Sequence, residues 1–247
     1  MAELTQIWRH PIKSHGSEAL QTTQLDVGKT LPWDRYWAVA HEAAQIDGGA
    51  WARCGNFSRG AKTPGLMAID ATLNTTSGQI TLRHPDLSDL TFDPETEGAA
   101  LIDWSAGLIP ENRVKSAKVV TTTQRGMTDT DFPSISILSN SSLRAMSQKA
   151  GTPLDQRRFR GNLWLDGLGP WEEFEWIGKT LRIGSAELTV RERIGRCMAT
   201  TANPETGKRD VDTLDVLKDG WGHTDFGVYA EVTVTGEVRV GDMVEVL

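Results

Sequence analysis

A mainly β fold with a few helices (α+β), built as one or two barrels, is what three features of this 247-residue chain predict. Short apolar and β-branched runs recur along its length. Gly, Pro, Asp or Asn bounds nearly every one. Helical patterning is confined to three short stretches. Many short strands with few helices must close on one another to bury their apolar faces, and barrels do this.

Leu4–Trp8 is the first strand, partly alternating. Tyr36–His41, Leu66–Ala71 and Gln79–Arg83 follow, with Thr75-Thr76-Ser77-Gly78 as a hairpin turn before the last of them. Residues 86–100 are acidic and turn-rich and read as a loop or sheet edge. Asp103–Gly107 is one helical turn near a domain break placed between residues 100 and 118. The expected division is therefore 1–100 and 115–247. Lys118–Thr123 reads as a strand, Gln124–Phe132 as a polar loop and Ser134–Leu138 as a further strand. Ser139-Asn140-Ser141-Ser142 then starts a helix over Leu143–Ala150, because serine and asparagine side chains satisfy the free amides of a first turn. Gly151 and Pro153 end it. Asn162–Leu165, Thr180–Ile183, Glu187–Arg193, Tyr229–Val234 and Met243–Leu247 complete the strands. Val211–Leu217 is a second short helix, and Gly236–Asp242 is hairpin punctuation before the last strand. Trp164, Trp171, Phe174 and Trp176 are expected in the core rather than on a pocket wall, and Glu172, Glu173 and Glu175 in solvent.

Acidic residues outnumber basic ones, 33 to 26, for a net charge of −7. A nucleic-acid partner is therefore not expected, although a local basic pocket is compatible with this balance. Two cysteines make no disulfide framework, so a reduced, cytoplasmic setting is the simpler expectation. The start, MAELTQIWRHPIKS, has no long apolar run, and no later stretch nears the roughly 18 apolar residues of a spanning helix. No membrane association is expected.

One cysteine carries the chemistry. Cys197 follows Arg196 and precedes Met-Ala-Thr-Thr-Ala-Asn-Pro-Glu-Thr-Gly. A neighbouring guanidinium favours thiolate, the form that attacks electrophiles and binds soft metals. The alternative is a buried cysteine acting as a small hydrophobe. Cys54 also has an arginine neighbour but no further support, and is read as structural. Zinc-type spacings, a P-loop and Gly-x-Gly-x-x-Gly are all missing from the sequence. Three clusters offer cations and polar groups: Pro11-Ile12-Lys13-Ser14, Asp34-Arg35-Tyr36-Trp37 and Arg157-Arg158-Phe159-Arg160-Gly161-Asn162. Forked guanidinium bonds suit phosphate or carboxylate, so together the clusters point to a small anionic ligand.

These segments, with Leu138-Ser139-Asn140-Ser141-Ser142-Leu143, Phe226-Gly227-Val228-Tyr229 and Val240-Gly241-Asp242, occur in an order that resembles the MOSC family, in the branch of the amidoxime-reducing components. The resemblance runs nearly end to end. It implies a MOSC β-barrel domain preceded by an N-terminal β-barrel-like region, and a molybdenum cofactor, a pterin-bound dithiolene molybdenum with a terminal phosphate. By resemblance Cys197 ligates the metal and is the catalytic residue. Lys13, Ser14, Arg35, Asp131, Ser139, Arg160, Asn162 and Arg196 match cofactor-side positions. The chain departs from the pattern at Gly169, where relatives carry an acid, at Gly161 in place of proline, at Asn203 in place of aspartate, and at His15. The segment Gly167–Trp176 is also shorter. The implied activity is reduction of N-hydroxylated or N-oxide substrates. No flavin motif or iron–sulfur cysteine set is present, so electrons would come from a separate flavin or iron–sulfur protein. A carrier or sulfur-transfer role for Cys197 is the alternative.

Overall fold

The computed structural model describes residues 2–46, 49–121 and 125–247. The end of the strand expected at 118–123 and the start of the polar loop at 124–132 lie outside these residues. In chain order the strands are β1 (Ala2–Arg9), β2 (Glu18–Leu20), β3 (Thr22–Leu25), β4 (Trp37–His41), β5 (Asp70–Leu73), β6 (Ile80–His84), β7 (Leu87–Phe92), β8 (Ser116–Thr121), β9 (Ile135–Ser139), β10 (Leu163–Asp166), β11 (Thr180–Ile183), β12 (Ala186–Gly195), β13 (Asp225–Val234), β14 (Gly236–Arg239) and β15 (Met243–Val246). The helices are α1 (Gly98–Ser105), α2 (Asn140–Ala150) and α3 (Thr213–Trp221). Among the described residues strand and bridge account for 37% against 22% in α-helices and 3-10 turns together, so the protein is mainly β as expected.

Seven strands close a barrel in the order β10-β9-β13-β12-β11-β15-β1, and β1 pairs back onto β10. Neighbours are antiparallel except β9 and β10. The barrel core is apolar by alternation. Ala186, Leu188 and Val190 of β12 point inward while Glu187 and Thr189 do not, the two-residue period of a strand covered on one face. β9 is buried at every position because α2 covers its other face. Leu4, Ile7, Ile137 and Leu163 fill the interior from the facing strands.

A second core holds residues of the chain's first half. The meander β5-β6-β7, the ribbon β4-β8 and α1 surround Trp37, Val39, Ile80, Leu82, Phe92 and Leu101. The first 25 residues cross the expected division. β1 and β2 belong to the large sheet, and β3 pairs with β14 from the far end of the chain. Residues 10–16 lead from the barrel to the second core, where Ile12 bridges to Trp37. A seam between the two cores is the result.

Local differences from expectation have physical causes. Leu66–Ala71 is not one strand. Pro64 starts a 3-10 turn over Pro64–Ala68, as proline suits a first helical position, and the strand begins at Asp70. Residues 86–100 contain the edge strand β7 and the start of α1. β7 buries only Phe92, so its solvated edge masks the pattern. Asp103–Gly107 is the end of α1 and a following turn. Segment 236–242 includes β14. The helix expected at Leu143–Ala150 begins three residues earlier, at Asn140, and ends at Gly151 in the left-handed region. The four aromatics pack in the cores as expected. Glu173 is a correction: it is fully buried, with Ser142 Oγ 2.9 and 3.0 Å from its two oxygens.

Candidate functional site

Three basic or polar residues of the seam hold backbone conformations that side chains disfavour. Ser14 (φ 64°), Arg35 (φ 52°) and Arg160 (φ 47°) are all left-handed. Such strain persists only where surroundings enforce it, and it clusters at functional sites. Here main-chain bonds enforce it. Arg35 N donates to His10 O at 2.6 Å, and Met127 N donates to Arg35 O at 2.8 Å. Arg35 Nη2 donates to Arg160 O at 2.8 Å, joining two of the three turns. Arg160 in turn reaches Gly16 O (2.9 Å) and Ile12 O (3.3 Å), next to the Lys13-Ser14 turn. Segments distant in sequence are thus sewn into one basic wall.

Lys13 Nζ donates to Met127 O (2.7 Å) and Asp129 Oδ1 (2.5 Å). Arg35 pairs with the buried Asp34, which also accepts from His10 N at 2.7 Å. Arg196 donates through Nε to Phe226 O (2.8 Å) and through Nη1 to Phe159 O (2.9 Å). Asn162 is a bracket. Its Oδ1 accepts from Ser136 N and Oγ, and its Nδ2 donates to Trp8 O. Gly161 beside it is in close contact: a Cβ there would lie 2.2 Å from Leu138 Cδ1, so the packing favours glycine at this position.

Cys197 stands at the end of β12, where irregular register between Val190 and Gly195 turns the strand away from its regular course. It is exposed and begins the 3-10 turn Met198–Thr201. The threonines staple this turn. Thr200 Oγ1 contacts Cys197 O (3.0 Å) and Thr213 Oγ1 at the start of α3 (2.6 Å), and Thr201 Oγ1 donates to Met198 O (2.8 Å).

A cavity of about 290 Å³ opens at the seam, and Lys13, Ser14, Arg35, Arg160, Asn162, Arg196 and Cys197 all line it. Two expected residues do not. Asp131 is exposed and off the cavity. Thr130 folds inward, its Oγ1 donating to Phe132 O and bonding Ser134 Oγ, and this turns Asp131 outward. Asp129, two residues earlier, is the acid on the wall. Ser139 is fully buried and caps α2, its Oγ accepting from Ser141 N (3.2 Å) and Ser142 N (3.3 Å). Cys54, read as structural, also lines the cavity, with Arg59, Ala61 and Met67. No local pattern distinguishes these residues, because the segment 54–67 reaches the wall only through tertiary packing. Tyr229 lines it too, and its motif was the one available signal.

Electrostatics follow from burial. Arg160 is pulled down to about 9 by burial and then by Arg35. Burial likewise pulls Arg196 down to about 10, with Arg35 adding to it. Among the described residues neither has a carboxylate hydrogen-bond partner; the bonds of both go to neutral carbonyls. Burial works to raise Asp129, but Lys13 holds it below the usual carboxylate range. Its side chain is 59% exposed and open to the cavity. Tyr229 is pushed up to about 12 by burial and by Asp129, so it remains a hydroxyl. Among the described residues no group of three or more His, Cys, Asp or Glu could hold a metal. A metal at Cys197 would take one sulfur from the protein and its other ligands from its own carrier. That donor set, beside the cluster of Lys13, Arg35, Arg160 and Arg196, fits a soft metal on an anionic organic ligand.

Models of two families cover the chain. The MOSC N-terminal beta barrel domain matches residues 1–131, and the MOSC domain matches residues 126–245. The chain belongs to the MOSC family. Relatives of this MOSC chain include mitochondrial amidoxime-reducing component 1 of Xenopus laevis, 32% identical over 126 residues, which cover 46% of the chain and 36% of that protein. The Mus musculus counterpart is 25% identical over 294 positions, covering 99% of the chain and 82% of that protein. Molybdenum cofactor sulfurase 2 of Culex quinquefasciatus is 36% identical over 73 residues, 29% of the chain and 9% of that protein. Among solved structures, the YUAD protein from Bacillus subtilis matches with a TM-score of 0.47 at 13% identity, over 99% of this MOSC chain and 94% of its own.

Proposed function

We propose that this MOSC protein binds a molybdenum cofactor in the seam cavity and reduces N-hydroxylated or N-oxide compounds. One observation carries the reading. Two half-buried guanidiniums, Arg160 and Arg196, line a cavity and among the described residues hydrogen-bond only to carbonyl oxygens, beside the exposed thiol of Cys197. Cations partly withdrawn from water and crowded against one another are costly, and an anionic ligand lowers that cost. Lys13, Ser14, Arg35 and Arg160 would grip the cofactor's phosphate and pterin. Asn162 braces the Arg160 turn and has one amide hydrogen left for the ligand. Cys197 would supply the protein's sulfur to the metal, with Arg196 beside it.

When bound, the cofactor supplies the two-electron chemistry that, with two protons, turns an N–OH group into N–H and water. The chain's part is orientation. Asp129 stays a carboxylate and holds the Lys13 ammonium toward the cavity. Tyr229 keeps its proton and offers a hydrogen bond rather than an acid. Electrons would arrive from a separate flavin or iron–sulfur protein. Both cysteines are free, which accords with a reducing, cytoplasmic setting, although the amidoxime-reducing relatives are named as mitochondrial. No helix among the described residues is long and apolar enough to cross a membrane.

The test is metal and pterin analysis of natively purified protein, with an assay on benzamidoxime and an artificial electron donor. Stoichiometric molybdenum and turnover are expected. Purified protein without molybdenum would refute the reading. The sulfurase relative favours a second reading, cofactor or sulfur carriage on Cys197. Tight cofactor binding without turnover, and transfer to an apo-enzyme, would select it.

A further inference from the structure

We propose that Arg59 sets substrate choice: it is the cation that receives a carboxylate carried by the N-hydroxylated substrate. The assignment rests on the cavity being a site of N–O reduction and names the substrate class for it.

Arg59, Cys54, Ala61 and Met67 bring one wall of the cavity from the chain's first half. This wall is pressed onto the Cys197 turn. A Cβ built on Gly60 would lie 2.4 Å from Met67 Sδ and 3.5 Å from Ala199 Cβ, so the residue after Arg59 sits beside the residue two after Cys197. Arg209 ties the same two segments. Its Nη2 donates to Ala61 O at 2.9 Å, and its Nη1 donates to Met198 O and Thr201 Oγ1. Lys62 N and Thr63 N both donate to Arg59 O at 2.9 Å and fix the backbone.

Among the described residues the Arg59 guanidinium pairs with no carboxylate. Ion pairs among the described residues on this cavity are Lys13–Asp129, Arg35–Asp34 and Arg158–Asp210, and Arg59 is in none of them. Its Nη1 donates to Cys54 Sγ at 3.2 Å, which orients the guanidinium without neutralising it. Nor does Arg59 bond to the basic set. Lys13, Arg35 and Arg160 are knit to one another and to residues 12–16 and 127–129, whereas the Arg59 segment is knit to the turn after Cys197. The cations thus form two groups, one for the cofactor's anionic end and one at the thiol end. Ala61, Met67 and Ala199 give the thiol end small apolar walls. A compact apolar body with an N-hydroxyl group at one end and a carboxylate at the other matches this lining.

The experiment compares kcat/KM for 4-carboxybenzamidoxime and neutral benzamidoxime, using molybdenum-loaded protein and an artificial donor. Wild type is expected to favour the carboxylate, and the ratio should fall about tenfold or more in Arg59→Leu. Arg59→Lys should retain part of the preference. Arg59→Glu should turn it toward an aminomethyl-substituted amidoxime. Molybdenum and pterin content should be the same in all four proteins. Calorimetric binding of 4-carboxybenzamidine against benzamidine reads the same preference without turnover. An unchanged ratio in the Leu and Glu variants would overturn the assignment, as would loss of cofactor from them, which would move Arg59 to the cofactor side. Loaded wild type that turns over neither amidoxime sinks the reductase reading instead, and equal binding of the two benzamidines then sinks Arg59 as well.

Discussion

Arg160 concentrates the physics of the site. Its backbone is left-handed, its guanidinium is half-buried, and its bonds go to carbonyls. In the cofactor-free chain that charge is a liability. Arg160→Met should therefore raise the melting stability of cofactor-free protein, on the order of 1 kcal/mol, while molybdenum content falls at least several-fold. Equal or greater cofactor occupancy in the variant would remove Arg160 from the binding set. Cys197 differs because it is exposed, and what it gives the fold, the carbonyl that Thr200 bonds, is backbone that alanine keeps. Cys197→Ala should leave chemical-denaturation stability within about 0.5 kcal/mol of wild type and abolish amidoxime turnover. Full activity in that variant would end its role as metal ligand. The sequence named both residues because charge and sulfur are legible without a fold. It named Asp131, whereas the acid that lines the cavity is Asp129, since which acid of a short loop faces inward depends on where Thr130 finds its partners.

At the scale of elements, the cap of α2 and the buried Glu173 are linked through Ser142. Ser139 Oγ accepts from Ser141 N and Ser142 N, and Ser142 Oγ lies on both Glu173 oxygens and accepts from Trp171 N. Ser139→Ala should cost about 1 kcal/mol of unfolding free energy with little change in cofactor affinity. A large drop in affinity without a drop in stability would return Ser139 to the cofactor. Burial raises Glu173 from 4.5 to about 7. The folded state therefore holds this proton more tightly than the unfolded one. Its contribution is complete below about pH 4.5 and is lost as pH rises to about 7, a span on the order of 3 kcal/mol. Glu173→Gln removes this slope, so the stability difference between variant and wild type should grow from pH 4.5 to 7 in the variant's favour. A pH-independent difference would place Glu173 in a wetter setting than its packing indicates. The run Glu172, Glu173 and Glu175 reads as a solvated face because composition has no depth. Its middle acid is buried because the segment packs on β13 and β9 and meets Ser142 of α2.

Taken as a whole molecule, the chain places its chemistry where two cores meet. His10 and His15 mark that seam. Burial lowers His10 to about 3 and His15 to about 4 from 6.5. Both are neutral in the fold, so the stability they confer is present above pH 6.5 and lost as pH falls toward 4. This slope is opposite in sign to that of Glu173, and with two groups it should dominate. Urea midpoints of the Glu173→Gln protein should fall steadily from pH 6.5 to 4, and a flat profile would contradict the buried neutral state. Residue order alone determined a good deal: a mainly β chain, the α2 helix with its serine cap and glycine stop, and a set of cations and one thiol suited to an anionic metal ligand. Local sequence decides these because strand alternation, capping and side-chain charge act within a few residues. Only the tertiary structure decided that β1 closes the barrel with strands from the far end of the chain, that Asp129 rather than Asp131 faces the cavity, and that Cys54 and Arg59 stand on the wall with Cys197. The barrel closure and the shared wall rest on contacts between segments more than a hundred residues apart, and the inward turn of Asp129 on the Lys13 contact together with the bonds Thr130 makes within its own loop, none of which a local pattern encodes.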